Sequence, residues 1–319
     1  MVQIAVVGGN SGLALEVIEE LVRDKKHDVL AICRKDPSQF IQRDTLTWVQ
    51  VPDFQDRSRM VSLFQDIDVV LNFIADPTDS DGALGKTLAD AAVEAGVKRY
   101  APSEWATGQG VQGVIDRLPW YQGKTEVYKH LQAMNKDKKV LEYCLFQPGY
   151  ILEYITHPVP TTRHMPTMWI PFQLSKSRIV AVKGSEDAPF VLTSVKDIAR
   201  LVRLAIEDQR PWPEIGGFTG NRYTTRQLQE VATKVLGREI SLELVRETDL
   251  ASGELKVEMP EVVHASIPEA HRQAFHTKLW IGLLSGIAYG AINVTDEWNQ
   301  RLPDFVPMKL EDHIQVLLK

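Results

Sequence analysis

The stretch VVGGNSGLALE, Val6–Glu16, decides how the rest of the chain is read. Val2–Val6 ahead of it has the pattern of a short apolar strand, and LALEVIEELV repeats apolar residues at helical spacing, so the glycines fall at a strand-to-helix junction. A bound diphosphate needs glycine there. Gly8 and Gly9 permit a turn that a Cβ obstructs, Gly12 lets helix, strand and ligand approach closely, and free N–H groups at the helix start attract an anion. On this reading Gly8, Gly9, Asn10, Ser11, Gly12 and Leu13 cradle the diphosphate of a dinucleotide. The spacing departs from the commonest fingerprint: counted from Gly9, G-x-x-G-x-x-G meets Gly12 and then Leu15, and counted from Gly8, G-x-x-x-G-x-G meets Gly12 and then Ala14. Alanine is tolerated where the helix packs on the sheet, but tight turns also use glycine for geometry alone, so context must decide.

That context is alternation. Strand patterns at Gln3–Val7, Asp28–Cys33, Thr47–Val51, Val69–Phe73, Arg99–Ala101 and Glu142–Phe146 are interleaved with helical patterns at Leu13–Arg23, Ser58–Phe64, Leu84–Ala95 and Gly123–Met134. The fold class expected is α/β: a Rossmann-type, doubly wound, mainly parallel sheet over residues 1–154. Beyond Tyr154 the proline-bearing THPVPTTRHMPTMWIP reads as an extended loop and Pro211–Pro213 as a second break. Ser194 with Asp197, and Thr224 with Gln227, cap helices at Val195–Glu207 and Thr225–Leu236. Residues 155–319 are expected to form a smaller α+β substrate domain, with the segment around 190–220 returning to the first domain and the cleft between them as ligand site.

Composition sets bounds. The 319 residues are 44% hydrophobic and 24% charged, as in an ordinary globular chain, and a net charge of −6 speaks against a nucleic-acid or anionic-membrane binder. The basic run Arg23–His27 reads as a solvated helix end. The chain shows no secretory pattern near Met1, and Cys33 and Cys144 fall on strands that would not be neighbours, so no disulfide and a cytoplasmic setting are expected. The apolar run Leu279–Ile292 is too short for a bilayer. Its Gly282, Gly286 and Gly290 make one helical face smooth, as a buried helix, a pocket wall or a homodimer contact would require.

With these features on the page, the chain resembles the NmrA-like and isoflavone-reductase-like branch of the atypical short-chain dehydrogenases. The resemblance rests on the glycine turn, AAVEAGVKRYAPSEW (Ala91–Trp105), GKTEVYKHL (Gly123–Leu131), FQPGYILEY (Phe146–Tyr154) and LTSVKDIARLV (Leu192–Val202). It implies a Rossmann-type domain that binds NADP(H), and often reduction of a small, frequently aromatic, natural product. The same family includes redox sensors or regulators without turnover. An isomerase or dehydratase with no net redox is a third option.

Residue by residue, the second strand runs straight into Arg34 and Lys35, where cations suit a 2′-phosphate and an acidic residue would have suited NAD, so NADPH/NADP+ is the cofactor expected. Asp53 and Phe54 would border the adenine, or simply form a strand-end turn. Asn72, Phe73 and Ser103 close later strands at the crevice, although Asn72 serves equally well as a turn-former. Pro148, Gly149 and Tyr150 would lie beside the nicotinamide in the family arrangement, or merely redirect the chain. Lys124, in GKTEV, matches the lysine that the isoflavone-reductase-like enzymes place near the nicotinamide ribose and substrate, and is the catalytic candidate. No Tyr-x-x-x-Lys pair accompanies it, since Trp120 takes the tyrosine's place. Trp105, Trp120, Tyr121, Tyr150, Met165, Met168 and Trp169 are expected around a planar substrate, although most such residues in any protein are core. His157, His164, His264, His271 and His276 show no metal-ligand spacing, so no metal is expected. The reading is an NADPH-dependent reductase of a small aromatic or conjugated carbonyl or enone.

Overall fold

The computed structural model describes residues 1–261 and 272–318. Its elements are β1 (Val2–Val7), α1 (Gly12–Val22), β2 (His27–Cys33), β3 (Leu46–Gln50), α2 (Arg57–Phe64), β4 (Val69–Asn72), α3 (Ala83–Glu94), β5 (Arg99–Ala101), α4 (Gln122–Met134), β6 (Glu142–Tyr143), β7 (Leu145–Gln147), β8 (Tyr150–Ile151), β9 (Phe172–Gln173), β10 (Arg178–Val182), β11 (Pro189–Thr193), α5 (Val195–Glu207), β12 (Ile215–Gly217), β13 (Asn221–Thr224), α6 (Thr225–Leu236), β14 (Ser241–Val245), α7 (Glu247–Ala251), α8 (Arg272–Ala288), α9 (Glu297–Arg301) and α10 (Leu310–Ile314).

Six strands pair in parallel in the order β3-β2-β1-β4-β5-β6. The Rossmann-type reading of the sequence is correct, and the switch point falls between β1 and β4. β1 is apolar on both faces because both are covered: Ile4 and Val6 join a core that contains residues of α1 and α5, whereas Ala5 and Val7 join one with residues of α2, α3 and α4.

The stretch expected as one strand over Glu142–Phe146 is two. The chain steps sideways at Cys144, so β6 pairs with β5 and β7 pairs with β12. Gly216 allows this, because a Cβ there would collide with the Cys144 thiol and the Trp298 indole. The remaining chain builds two small sheets, β14-β10-β9 and β13-β11-β8, around another core that includes residues of α6 and α8.

Caps act where the sequence placed them. Ser194 accepts the Asp197 N–H, and Thr224 and Gln227 form a reciprocal capping box. The run Arg23–His27 is solvated only in part, since His27 opens β2 and is buried beside Glu207. Cys33 and Cys144 are free and buried. α8 is packed rather than exposed: Cβ atoms at Gly282 and Gly286 would meet Leu118, and at Gly282 also the Trp120 ring. Among the described residues, no helix is long and apolar enough to cross a membrane.

Candidate active site

At the carboxyl end of β1, Gly8 has a φ of +76°, and a Cβ there would stand 3.0 Å from Ile74. Ser11 then opens α1 in extended conformation without a side-chain cap, which leaves the first helical amides without that partner. Asn10 and Ser11 are partly exposed, while the Leu13 side chain is buried in the core. What crowds Gly12 is distant in sequence: a Cβ would lie 2.7 Å from the Pro166 ring and 2.9 Å from the His164 carbonyl. Glu16 holds that loop down by accepting the His164 N–H at 2.6 Å, and Glu19 pairs with Arg163 and His164. Met165 therefore lies beside the start of α1.

Beyond β2, Arg34 and Lys35 are exposed, and among the described residues neither has a carboxylate within ion-pair distance. The Arg34 guanidinium stands 5.9 Å from the centre of the Phe54 ring, and Phe54 is otherwise buried. Asp53 is exposed and turns the chain by accepting the Gln55 N–H at 2.8 Å. Helical amides without a side-chain cap, and two cations rather than a carboxylate directly after β2, fit a dinucleotide carrying a 2′-phosphate.

A cavity of about 280 Å³ opens at the ends of β4 and β5. Asn72 and Ser103 line it on the sheet side, Trp120, Tyr121 and Lys124 on another, and Phe275 and Leu279 reach it from α8. Buried Asn72 accepts the Ile74 N–H on its side-chain Oδ1 at 2.9 Å. Lys124 is brought here by a contact between two glycines. The Asp79 carbonyl occupies the place of a Cβ on Gly123, and the Gly123 carbonyl lies 2.5 Å from that of a Cβ on Gly82, whose φ is +66°. The loop before α3 and the first turn of α4 thus meet backbone to backbone.

The Lys124 ammonium donates to the Glu104 main-chain carbonyl at 2.6 Å and lies 5.1 Å from the Tyr121 ring centre. Burial pushes its pKa below the ordinary lysine value, with the Glu104 carboxylate opposing. Burial also pushes the Tyr121 phenol up to about 12 and raises that of Tyr150 well above its ordinary value. No group of three or more His, Cys, Asp or Glu able to hold a metal occurs among the described residues. His264 and His271 lie outside them.

Several residues expected at the ligand do not line this cavity. Trp105 is a core residue: its ring stacks between Phe73 at 4.3 Å and Phe146 at 5.4 Å, and its indole N–H donates to the Asn72 carbonyl at 2.7 Å. Phe73 is buried in the same stack. Pro148 and Gly149 form a turn, with the Pro148 carbonyl accepting from Thr193 at 2.6 Å and the Val191 carbonyl filling the place of a Cβ on Gly149. Tyr150 is buried near Tyr121 without lining the cavity. Met168 and Trp169 pack on the second core, where Trp169 receives the Lys176 ammonium at 4.4 Å. Large apolar side chains go first to cores, which is why aromatic content overstated the pocket.

Glu104, Gln147 and Phe275 were not singled out by the sequence reading, whereas Leu279 opens the apolar run for which a pocket wall was one alternative. Glu104 carried a signal, an acidic residue in the strand-end stretch KRYAPSEW; Phe275 arrives by long-range packing that no local pattern marks.

The model of the NmrA-like family matches residues 2–278. "Oxidoreductase BOA1" of Botryotinia fuckeliana (strain B05.10) is 25% identical over 241 residues, covering 74% of this chain and 77% of that protein. Among solved structures, the NADPH-dependent quinone oxidoreductase QOR2 of Escherichia coli complexed with NADPH has a TM-score of 0.72 at 19% identity, covering 99% of this chain and 100% of that one. AtPrR2 with NADP+ and (+)pinoresinol has a TM-score of 0.70 at 16% identity, covering 99% and 98%. The family match begins at β1 and runs on into α8, taking in the glycine turn and all of the cavity lining except Leu279, and on that match the chain belongs to the NmrA-like family.

Proposed function

We propose that this protein is an NADPH-dependent reductase of a small aromatic or conjugated carbonyl or enone. The observation that carries the reading is the Lys124 ammonium: it is partly buried on the cavity wall and spends one donor on a backbone carbonyl, with no carboxylate in ion-pair contact among the described residues. Its remaining donors can serve an oxyanion in the cavity. NADPH, when bound, supplies a hydride. Arg34 and Lys35 select it through its 2′-phosphate, the first turn of α1 holds its diphosphate, and Trp120, Tyr121, Phe275 and Leu279 give a planar substrate apolar walls. Lys124 stabilises or protonates the oxygen on which charge develops. The names of the similar proteins, oxidoreductases and NADPH-bound reductases, support the same class.

Those apolar walls also weigh against a sensor without turnover, which needs no substrate cavity. The test is NADPH consumption followed at 340 nm against a panel of quinones, enones and aryl ketones. Substrate-dependent oxidation is the expected result. No turnover with any member, together with nucleotide binding whose redox state alters capture of a protein partner, would put the sensor in its place.

A further inference from the structure

Lys124 has a second side. A small pocket of about 20 Å³ shares Lys124, Tyr121 and Glu104 with the large cavity, and extends past Thr125 and Gln147 to Gln109 and Gln112, both exposed to solvent. That volume holds one water. Its lining is largely polar and incompletely satisfied: Gln147 is buried and its Oε1 has no hydrogen-bond partner among the described residues, and Thr125 Oγ1 accepts from Gln112 at 2.8 Å. Glu104 is 7% exposed. Its carboxyl makes no ion pair with Lys124 within 4.0 Å among the described residues, although its own carbonyl is the lysine's acceptor. The two groups therefore need an intermediary to exchange a proton, and the pocket has room for it.

We infer that Glu104 is a proton-relay residue, acting through Lys124, which reloads the lysine from solvent by way of the pocket behind it. The inference rests on the reductase reading. Bound NADPH would supply the hydride for substrate carbon; in each turnover the Lys124 ammonium gives a proton to the substrate oxygen where charge develops. The resulting amine takes a proton from the Glu104 carboxylic acid through the pocket water. The Glu104 carboxylate then takes one from solvent at the Gln109 and Gln112 end. The sum consumes NADPH and one proton and leaves NADP+ and reduced substrate.

The environment suits both partners. Burial raises the Glu104 carboxyl above the ordinary glutamate range, Lys124 and Gln147 pulling the other way, and burial lowers the ammonium. These shifts bring donor and acceptor toward one another, as transfer in both directions requires. Tyr121 and Tyr128 are the other titratable side chains on this pocket, and both phenols are raised, so they stay neutral.

Two measurements test the relay. The first needs no substrate: lysine labelled at Cε is titrated by NMR in the cofactor-free protein, the Lys124 signal being assigned by its absence in Lys124→Met. Two steps are expected, and Glu104→Gln should remove the lower step and move the upper midpoint down by about one pH unit. A single step with an unchanged midpoint in Glu104→Gln would overturn the relay. The second compares hydride transfer in one turnover with steady-state turnover. Glu104→Gln and the isosteric Thr125→Val should keep the first within about threefold and slow the second tenfold or more, with formate restoring Glu104→Gln. Equal loss in both phases, or in neither, would overturn it. A two-step titration with no turnover on any carbonyl or enone would instead sink the reductase reading, and the relay's role in catalysis with it.

Discussion

Lys124 directs its ammonium at the main-chain carbonyl of Glu104, 2.6 Å away, rather than at that residue's carboxylate. A carbonyl orients the charge without neutralising it, so the ammonium keeps most of its field for whatever occupies the cavity.

Lys124→Met keeps much of the apolar stem and removes the charge. Single-turnover hydride transfer at saturating NADPH should fall by roughly 10²–10⁴-fold, the range for a positioned general acid. Thermal stability should hold or rise, because a desolvated ammonium is lost. Unchanged hydride transfer with unchanged NADPH affinity would remove Lys124 from the chemistry; loss of affinity alone would make it a cofactor anchor.

Arg34 is exposed and unpaired by carboxylate, so its guanidinium is available to a 2′-phosphate. A charge-assisted hydrogen bond contributes about 1.5–3 kcal/mol, so Arg34→Ala should weaken NADPH binding at least about tenfold and leave NADH binding nearly untouched. Calorimetry with both nucleotides reads this directly. Equal affinity of the wild type for the two would remove the basis for the selectivity.

Trp105→Ala separates core from pocket. The ring is 7% exposed and stacked on both faces, so truncation should cost about 3–5 kcal/mol in denaturant unfolding. A loss of substrate affinity with stability intact would return Trp105 to the ligand.

Glu153 gives a pH dependence. It is 2% exposed and accepts the Val195 N–H with both oxygens at 3.1 Å. Burial, reinforced by Asp197 and Glu16, pushes its pKa up to about 7, against about 4.3 for an unfolded glutamate. The folded state therefore holds the proton more tightly, and its contribution is full below pH 4 and lost as pH rises through about 7. Between those limits the loss is on the order of 3 kcal/mol. Glu153→Gln should remove that slope, so variant and wild type should diverge in urea midpoint from pH 5 to pH 8, the variant gaining. Parallel curves over that window would show that Glu153 does not titrate there.

How much of this was legible follows from range. The order of strands and helices up to Met134 came from period-2 and period-3.6 patterns, which are local, and boundaries moved by a residue or so, as at β4, which ends at Asn72 rather than Phe73. The step at Cys144 was invisible because its cause, a glycine at position 216, lies far along the chain. The glycine turn could be read because backbone conformation and close approach restrict residue type, whereas Lys124 was singled out only by the resemblance of GKTEV to the family's lysine motif. The aromatics could not be allotted, since a tryptophan looks the same in sequence whether it faces a cavity, as Trp120 does, or a stack, as Trp105 does. Glu104 was quoted in its motif and passed over, because burial of a carboxylate shows only once neighbours are in place.

The packing of α5 against α1 bears on how this chain is made. Val195, Ile198, Val202 and Trp212, with Trp298 from α9, belong to the same core as Val17, Ile18 and Leu21. As the polypeptide leaves the ribosome, one face of its sheet must wait for a cover that is synthesised long after the sheet itself. A chain released near residue 154 would present that apolar face to water, and chaperones or proteases would meet it before α5 could. Maturation of the nucleotide-binding half is thereby tied to synthesis of the chain through α5 and on to Trp298.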